Sequence, residues 1–199
     1  MTLYSPKVGE ALAFGADLHS TQVRKGKDEP YLSHILMVAA LTAHYGGDEE
    51  QIIAAVLHDA VEDCGGPPVA EQIRSRFGDR VAGIVLDCSD AAPLPGQPKA
   101  PWEQRKRDYI DSIRTPSTNG SRLVEACDKL ANLRDIVEDL ALVGDQAFVN
   151  FKGGRDGTLT YYATLGEVLI PQVPAVAPEY ERLLGRLKEL TGLAEIPIW

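Results

Sequence analysis

The chain has 199 residues, of which 44% are hydrophobic and 25% are charged, and its formal net charge at pH 7 is −9. This composition is typical of a soluble globular protein. A chain of this length most simply forms one domain, residues 1–199, with a large core. The acidic balance argues against nucleic acid as the main partner, because binding to a phosphate backbone requires clustered cations.

Neither a membrane anchor nor an oxidising compartment is indicated by the sequence. No apolar run reaches the roughly 20 residues that a membrane span requires, and the first residues lack the apolar core of a signal peptide. The three cysteines, Cys64, Cys88 and Cys127, are an odd number without a C-x-x-C pair, so reduced thiols are expected. We therefore predict a cytoplasmic protein without membrane contact.

Helical patterns begin near the start of the chain. The pair Ser5-Pro6 is typical of a helix start and predicts a helix that runs to about His19. The segment Tyr31–Tyr45 has apolar residues at a period near 3.6 and ends at a double glycine. Asp48, with Gln51 three residues later, predicts a capping box for a third helix, which is expected to continue to the next double glycine.

The rest of the chain repeats this helical pattern. Further helices are expected over residues 68–77, 79–88, 101–114, 121–142, 158–169 and 178–191. No segment alternates as a strand and no internal repeat is present, so the predicted fold class is all-α. Residues 91–101 contain several prolines and are expected to form a loop within the domain.

The most informative stretch is Gln51–Asp63, in the third predicted helix. His58 and Asp59 are adjacent there, and each is followed four residues later by a carboxylate, Glu62 and Asp63. Residues four apart share a helix face, so two metal-ligand types would lie one turn from an acid pair. An isolated His-Asp pair is more often the polar face of an amphipathic helix. Here the preceding apolar run places the pair at the rim of a core.

A divalent-cation site built from imidazole and carboxylate needs about four protein ligands and open positions for water and substrate. His34 lies on the preceding predicted helix, where antiparallel packing would bring it against His58. Asp128 is a polar residue between apolar turns of a later helix, where a surface salt bridge is the alternative. His19 and His44 lie near helix ends and are expected to be surface or capping residues.

Local basic clusters offer contacts for an anionic substrate in spite of the negative net charge. They lie at residues 24–27 and 105–107, and solvated surface is the commoner meaning of such clusters. The proline-containing loop before the second cluster is a candidate lid that would exclude water from a cleft. Lys106 would then face the phosphates of a substrate. An ordinary surface connection is the alternative for this loop.

In combination these segments resemble the HD phosphohydrolase superfamily. The order His34, His58-Asp59, Asp128 is that of the metal ligands in the superfamily. More closely, residues 12–136 resemble the hydrolase domain of the RelA/SpoT proteins and of the stand-alone small alarmone hydrolases. The resemblance implies a compact multi-helix HD-domain bundle, with C-terminal helices at residues 155–192 packed on it.

The resemblance also implies roles for individual residues. The expected ligands of a divalent cation, most often Mn²⁺ in this family, are His34, His58, Asp59 and Asp128. The acid pair that orients or deprotonates the attacking water would be Glu62 and Asp63. The residues that match substrate-contacting positions are Arg24, Lys25 and Asn132.

The implied reaction is hydrolysis of guanosine tetra- or pentaphosphate at the 3′ position, with release of pyrophosphate. Two alternatives stay open. One is a phosphatase or phosphodiesterase that acts on another nucleotide such as NADPH. The other is a non-catalytic alarmone-binding module, although a complete water-activating set argues against a pure binder. The partner in each case is a small nucleotide, and the protein is expected to be a monomer or a homodimer.

Overall fold

The computed structural model describes residues 4–89 and 100–199 of the chain. Its helices are α1 (Lys7–Leu18), α2 (Leu32–His44), α3 (Glu49–Leu57), α4 (Ala60–Cys64), α5 (Pro67–Phe77), α6 (Asp79–Cys88), α7 (Trp102–Ile113), α8 (Ser121–Val143), α9 (Gly154–Val168) and α10 (Ala177–Thr191). Short 3₁₀ helices follow α8 at Gly144–Phe148 and α9 at Ile170–Gln172. The predicted all-α fold class is confirmed.

The described ranges contain no strand, only one isolated antiparallel bridge between Val23 and Pro30. Across the same ranges, no helix is both long enough and apolar enough to cross a membrane. The candidate lid at residues 91–101 lies outside the described residues except for its last two positions. No disulfide joins the three cysteines, all of which are described.

Local sequence signals set the helix starts. The carboxylate of Asp48 accepts a hydrogen bond from the Gln51 N–H at 3.0 Å, and the Gln51 side chain accepts one from the Asp48 N–H at 2.9 Å. This is the predicted capping box of α3. At α1, the Ser5 hydroxyl accepts from the Lys7 N–H at 3.2 Å, so it satisfies a donor that the first helical turn leaves open.

The predicted third helix is divided at the pair His58-Asp59. α3 ends at Leu57 and α4 begins at Ala60, so the expectation of one continuous helix was wrong here. Asp59 has a ψ of −4°, far from the helical value of about −42°. The Asp63 N–H still donates to the Asp59 carbonyl at 2.9 Å. The helical hydrogen bond between the two aspartates, four residues apart, is therefore kept across the break.

The described residues belong to two compact units. The first contains residues 4–89 and 117–128, and α3 lies at its centre, packed against α1, α2 and α6. The α3 residues 52–57 are all buried, which explains why no polar residue interrupts this run. α5 packs on α4 and α6. His58 therefore directly follows a helix whose last six residues are all buried.

The second unit contains residues 100–116 and 129–199, with α9 packed against α7 and α10. Trp102 at the start of α7 lies edge-on to Tyr161 and Trp199, with ring centroids 6.2 and 5.9 Å apart. The buried Tyr180 of α10 donates its hydroxyl to the Tyr162 carbonyl of α9 at 2.7 Å. The single domain over residues 1–199, with its C-terminal helices on the core, stays a prediction.

Trp102 also packs so closely on the glycines before and within α9 that a methyl group should not fit. A Cβ at Gly153 would lie 2.5 Å from the Trp102 ring, although its φ of −80° suits any residue. Gly153→Ala should lower the free energy of unfolding by about 1–3 kcal/mol, the usual cost of overpacking. Urea denaturation measures this effect.

Gly185 provides the matched control, because it lies inside α10 and no neighbouring atom is within 4 Å of the place that an added methyl group would take. Gly185→Ala should raise the free energy of unfolding by about 0.5–1 kcal/mol through helix propensity. A Gly153→Ala variant as stable as the unsubstituted protein would contradict the tight contact with Trp102.

Candidate metal and catalytic site

Four side chains from separate segments of the first unit converge. His34 comes from α2, His58 and Asp59 from the break between α3 and α4, and Asp128 from α8. Ligand atoms of the first three all lie within 4.8 Å of one another. The Asp128 Oδ1 lies 3.2 Å from the His34 Nε2 and 3.6 Å from the His58 Nε2. The structure thus brings the predicted ligand set together.

A backbone contact orients the His58 ring. Its Nδ1 lies 2.8 Å from the Ala55 carbonyl oxygen, one turn earlier in α3. A carbonyl can only accept, so Nδ1 carries the hydrogen and Nε2 presents its lone pair. That Nε2 points to the Asp59 Oδ2 at 2.8 Å. Such a contact behind an imidazole is the arrangement that orients a metal-binding histidine.

The site needs a positive charge. Burial alone would lower the pKa of His58, but the carboxylates of Asp59 and Asp128 outweigh it and hold this pKa well above the ordinary value. Burial would raise the pKa of Asp59, yet the His58 imidazole keeps it well below its usual range. Among the described residues, Nε2 of His34 and of His58 is buried without a hydrogen-bond partner.

The lone pair on the His58 Nε2 and the carboxylate oxygen that it faces repel each other unless a proton or a cation lies between them. Two imidazole nitrogens and two carboxylates are a donor set that suits a divalent transition-metal ion. The residues present therefore fit a divalent cation.

Tyr31, to which the sequence analysis assigned no role, contacts this group. Its hydroxyl donates to the Asp59 Oδ2 at 2.5 Å. Its ring stacks on His19 with centroids 5.1 Å apart and lies edge-on to His34 at 5.5 Å. Burial, and then the charge of Asp59, raises the pKa of Tyr31, so the hydroxyl stays a donor. The only sequence signal was its position three residues before His34.

The acid pair lies in α4, immediately after the ligand pair. Glu62 is half-buried and Asp63 is exposed. Partial loss of solvent around its carboxyl raises the pKa of Asp63. A hydrogen bond from Gln22 lowers this pKa, and the charges of Asp59 and Glu62 raise it further. Asp63 therefore belongs electrostatically to the ligand group. Its carboxyl has a higher affinity for a proton than an ordinary aspartate.

His19 differs from the expectation of a surface residue. It is the C-cap of α1, as a capping role predicts, but only 3% of its surface is exposed. The ring lies between Tyr31 and Cys64, whose sulfur is 3.5 Å from Nδ1. The chain turns inward after α1 and carries the side chain with it. His44, the other such residue, is exposed at the end of α2, as predicted.

The first basic cluster lies on a short turn between α1 and α2. The Arg24 N–H donates to the Glu29 carbonyl at 2.8 Å, and the Tyr31 N–H donates to the Gln22 carbonyl at 2.9 Å. The Arg24 guanidinium lies 5.7 Å from the centroid of the Tyr31 ring. Lys25 is exposed on the same turn. The structure therefore brings Arg24 next to a side chain that contacts the ligand group.

The two other predicted substrate residues belong to the second unit. Asn132 is half-buried and lies four residues after Asp128 in α8. The Lys106 ammonium of α7 lies 5.5 Å from the Tyr161 ring and 5.9 Å from the Tyr109 ring. Their contact with a substrate stays a prediction.

Comparison with known proteins gives matches over the residues of this site. A family model described as HD domain matches residues 11–159. The guanosine-3′,5′-bis(diphosphate) 3′-pyrophosphohydrolase of Xenopus tropicalis is 38% identical over 130 residues, which cover 64% of this chain and 68% of that relative. The protein of the same name from Aquifex aeolicus is 43% identical over 133 residues, which cover 67% of this chain and 18% of that relative.

Solved structures share the fold. One, described as a metazoan ortholog of SpoT that hydrolyzes ppGpp, has a TM-score of 0.70 at 26% identity and covers 97% of this chain and 99% of that chain. A crystal structure from Listeria monocytogenes has a TM-score of 0.65 at 30% identity and covers 83% of this chain and 99% of that chain. The likeness to the first of these structures extends over nearly the whole chain.

The four-residue ligand set predicts how metal content responds to substitution. With Mn²⁺ as the added probe ion, His58→Ala and Asp128→Ala should each lower the affinity for the metal by more than the roughly 10–100-fold that loss of an outer-shell partner costs. His44→Ala is the matched control and should keep the affinity, because His44 is exposed and outside the site. Metal analysis after dialysis measures the stoichiometry. Full occupancy in both site variants would rule out this ligand set.

Proposed function

Because the chain belongs to the HD-domain family and is a metal-dependent hydrolase, we propose that it hydrolyses guanosine 3′,5′-bis(diphosphate) and releases pyrophosphate from the 3′ position. The observation that carries the proposal is the pair of buried Nε2 atoms of His34 and His58, which face carboxylates and lack a hydrogen-bond partner among the described residues. Relatives that match about two thirds of the chain are named for the same reaction.

The proposed ligands of the cation are His34, His58, Asp59 and Asp128, which lie close together. The proposed ion is Mn²⁺, the usual metal of the family that the sequence resembles. When bound, a divalent cation neutralises charge on phosphoryl oxygens and lowers the pKa of water. Ala55 and Tyr31 would hold His58 and Asp59 in the orientation that binding requires.

The reaction needs a proton acceptor beside the phosphate. The oxygen of water adds to the phosphorus on the ribose 3′ oxygen, and the bond between that phosphorus and the 3′ oxygen breaks. Water loses a proton, and the departing 3′ oxygen gains one. Asp63, with its raised pKa, and Glu62 are the carboxylates that the proposal assigns to the proton of water.

Substrate recognition requires local positive charge in an acidic protein. The planar guanidinium of Arg24 lies against the Tyr31 ring and can stack on a purine or pair with a phosphate. Lys25 on the same turn offers a second cation. Asn132 and Lys106 complete the proposed set of substrate contacts.

The finer parts of the proposal concern the setting of the protein. We propose that it acts in the cytoplasm, as a monomer or a homodimer, on a free nucleotide rather than on nucleic acid. The net charge of −9 supports the last point, because it disfavours approach to a polyanion without a local basic patch. The three cysteines without a disulfide are compatible with a reducing compartment.

A nucleotide panel tests the substrate. Guanosine tetraphosphate, guanosine pentaphosphate, NADPH and a simple aryl phosphate are each incubated with Mn²⁺, and phosphate and pyrophosphate are measured separately. Pyrophosphate with GDP or GTP is the expected result. Phosphate release from NADPH alone would replace the proposed substrate. Tight binding of guanosine tetraphosphate without turnover would instead indicate an alarmone-binding module.

The acid pair should serve catalysis more than folding. Changing Glu62→Gln and Asp63→Asn together should lower kcat by roughly 10²-fold or more, the scale of lost general-base catalysis. Metal content and helicity should stay near those of the unsubstituted protein. The tripeptide Val-Glu-Asp recurs in α8, so Glu138→Gln with Asp139→Asn is a matched control that should leave kcat unchanged. An unchanged kcat in the first variant would refute the role of the pair.

Arg24 should act through substrate binding. Arg24→Ala should raise KM for guanosine tetraphosphate about tenfold or more, because the substrate loses a charge-assisted contact. The rise should be smaller for an aryl phosphate. Arg76→Ala is the control, since the Arg76 guanidinium also covers an aromatic ring, that of Phe14 at 4.2 Å. Equal losses on both substrates would indicate damage to the fold instead.

A further inference from the structure

Two hydrogen bonds in series link His19, at the end of α1, to Asp63 of the acid pair. The His19 Nδ1 lies 2.6 Å from the Gln22 Oε1, and the Gln22 Nε2 donates to the Asp63 Oδ2 at 2.7 Å. No sequence pattern pointed to a role for Gln22, and His19 was expected to lie on the surface or to cap a helix.

The direction of each hydrogen bond in this series follows from its last member, Asp63. The Asp63 carboxylate only accepts, so the amide nitrogen of Gln22 must face it. The amide oxygen of Gln22 then faces His19 and requires an N–H there, so the His19 Nδ1 carries a hydrogen. One arrangement of donors satisfies all three groups. The Gln22 amide therefore has a defined orientation.

The His19 ring, at the start of this hydrogen-bond series, is held in place by packing. The His19 ring is 3% exposed and stacks on Tyr31 at 5.1 Å with an interplanar angle of 22°. Cys64, the residue after Asp63, places its sulfur 3.5 Å from Nδ1 of the same ring. The backbone of Gln22 is also held, because its carbonyl accepts from the Tyr31 N–H at 2.9 Å. Gln22 is thus fixed at both its backbone and its amide oxygen.

We propose that Gln22, anchored by His19, is a positioning residue for Asp63. The inference rests on the proposed function, in which Asp63 takes the proton of water. The Gln22 amide occupies Oδ2, so the rotation of the carboxyl is restricted and Oδ1 is left to accept the proton. Asp63 is otherwise an exposed side chain on a short helix, and an unrestrained carboxyl would spend less time in the productive orientation.

The backbone segment that carries Gln22 also carries the proposed substrate contact Arg24. Gln22 and Arg24 are two residues apart, on either side of Val23, which bridges to Pro30. The Tyr31 ring stacks on His19 and lies beside the Arg24 guanidinium. Asp63 is therefore oriented by the segment that carries the first basic cluster.

The test uses Gln22→Met, which keeps the length of the side chain and removes both hydrogen bonds. We expect kcat for guanosine tetraphosphate to fall about tenfold, at the lower end of the 10–100-fold effects of comparable supporting residues. KM should change less than twofold, and Mn²⁺ stoichiometry and melting temperature should stay near those of the unsubstituted protein. His19→Phe keeps the ring stack, lacks the N–H and should lower kcat in the same direction.

A double-substitution cycle separates positioning from a structural role. If Gln22 acts through Asp63, adding Gln22→Met to Asp63→Asn should cause no further loss of kcat. If the double variant instead loses kcat by the product of the two single-variant factors, the proposal is overturned. Gln104→Met is the matched control, because the Gln104 amide donates to the Asp108 carboxylate at the same 2.7 Å on the exposed surface of α7. Its kcat should be unchanged.

The aryl phosphate distinguishes failure of this inference from failure of the proposed function. An unchanged kcat for Gln22→Met on a substrate that the unsubstituted protein hydrolyses would overturn the positioning role alone. Turnover of the aryl phosphate without turnover of guanosine tetraphosphate would overturn the substrate, and the cycle would then be measured on the aryl phosphate. Absence of turnover on every phosphate ester would overturn both.

Discussion

The site depends on one electrostatic constraint, which is that two buried imidazole nitrogens face carboxylate oxygens. The His58 Nε2 is 2.8 Å from Asp59, and the His34 Nε2 is 3.2 Å from Asp128. Burial removes the water that would otherwise screen these nitrogen and oxygen atoms from one another. A positive charge must therefore be present, as a proton on an imidazole or as a cation between the groups. The same cluster lies beside a carboxylate with a raised pKa, Asp63, so the proposed cation and the proposed base would be neighbours.

The core supplies the rigidity that this constraint demands. Helix α3 is buried along residues 52–57 and ends immediately before His58, so the proposed ligand pair directly follows a buried helix of the first unit. At Asp59 the backbone leaves the helical conformation, and this separates α3 from α4. The Ala55 carbonyl then determines which nitrogen of His58 is available. The Nε2 atoms of His34 and His58 have no hydrogen-bond partner among the described residues, so this buried cluster persists only where opposite charges offset one another.

The turn between α1 and α2 forms the other support. Its Tyr31 donates to Asp59, and its Gln22 donates to Asp63, so a single segment orients a proposed metal ligand and a proposed base. The stacked pair of His19 and Tyr31 joins the two contacts. Arg24 lies on the same segment, with its guanidinium beside the Tyr31 ring.

The sequence by itself determined the local features of this protein. The capping box of Asp48 and Gln51, the helical periods and the glycine stops depend on residues close together in the chain, so the helices could be predicted almost to their ends. The four proposed ligands could be named because their order along the chain matches that of the metal ligands in the HD superfamily. Only the tertiary structure decided that α3 breaks at His58-Asp59 and that His19 is buried. The partners of Gln22 likewise became known only from the fold. These features arise from contacts between residues such as 22 and 63, which periodicity and local propensity do not encode.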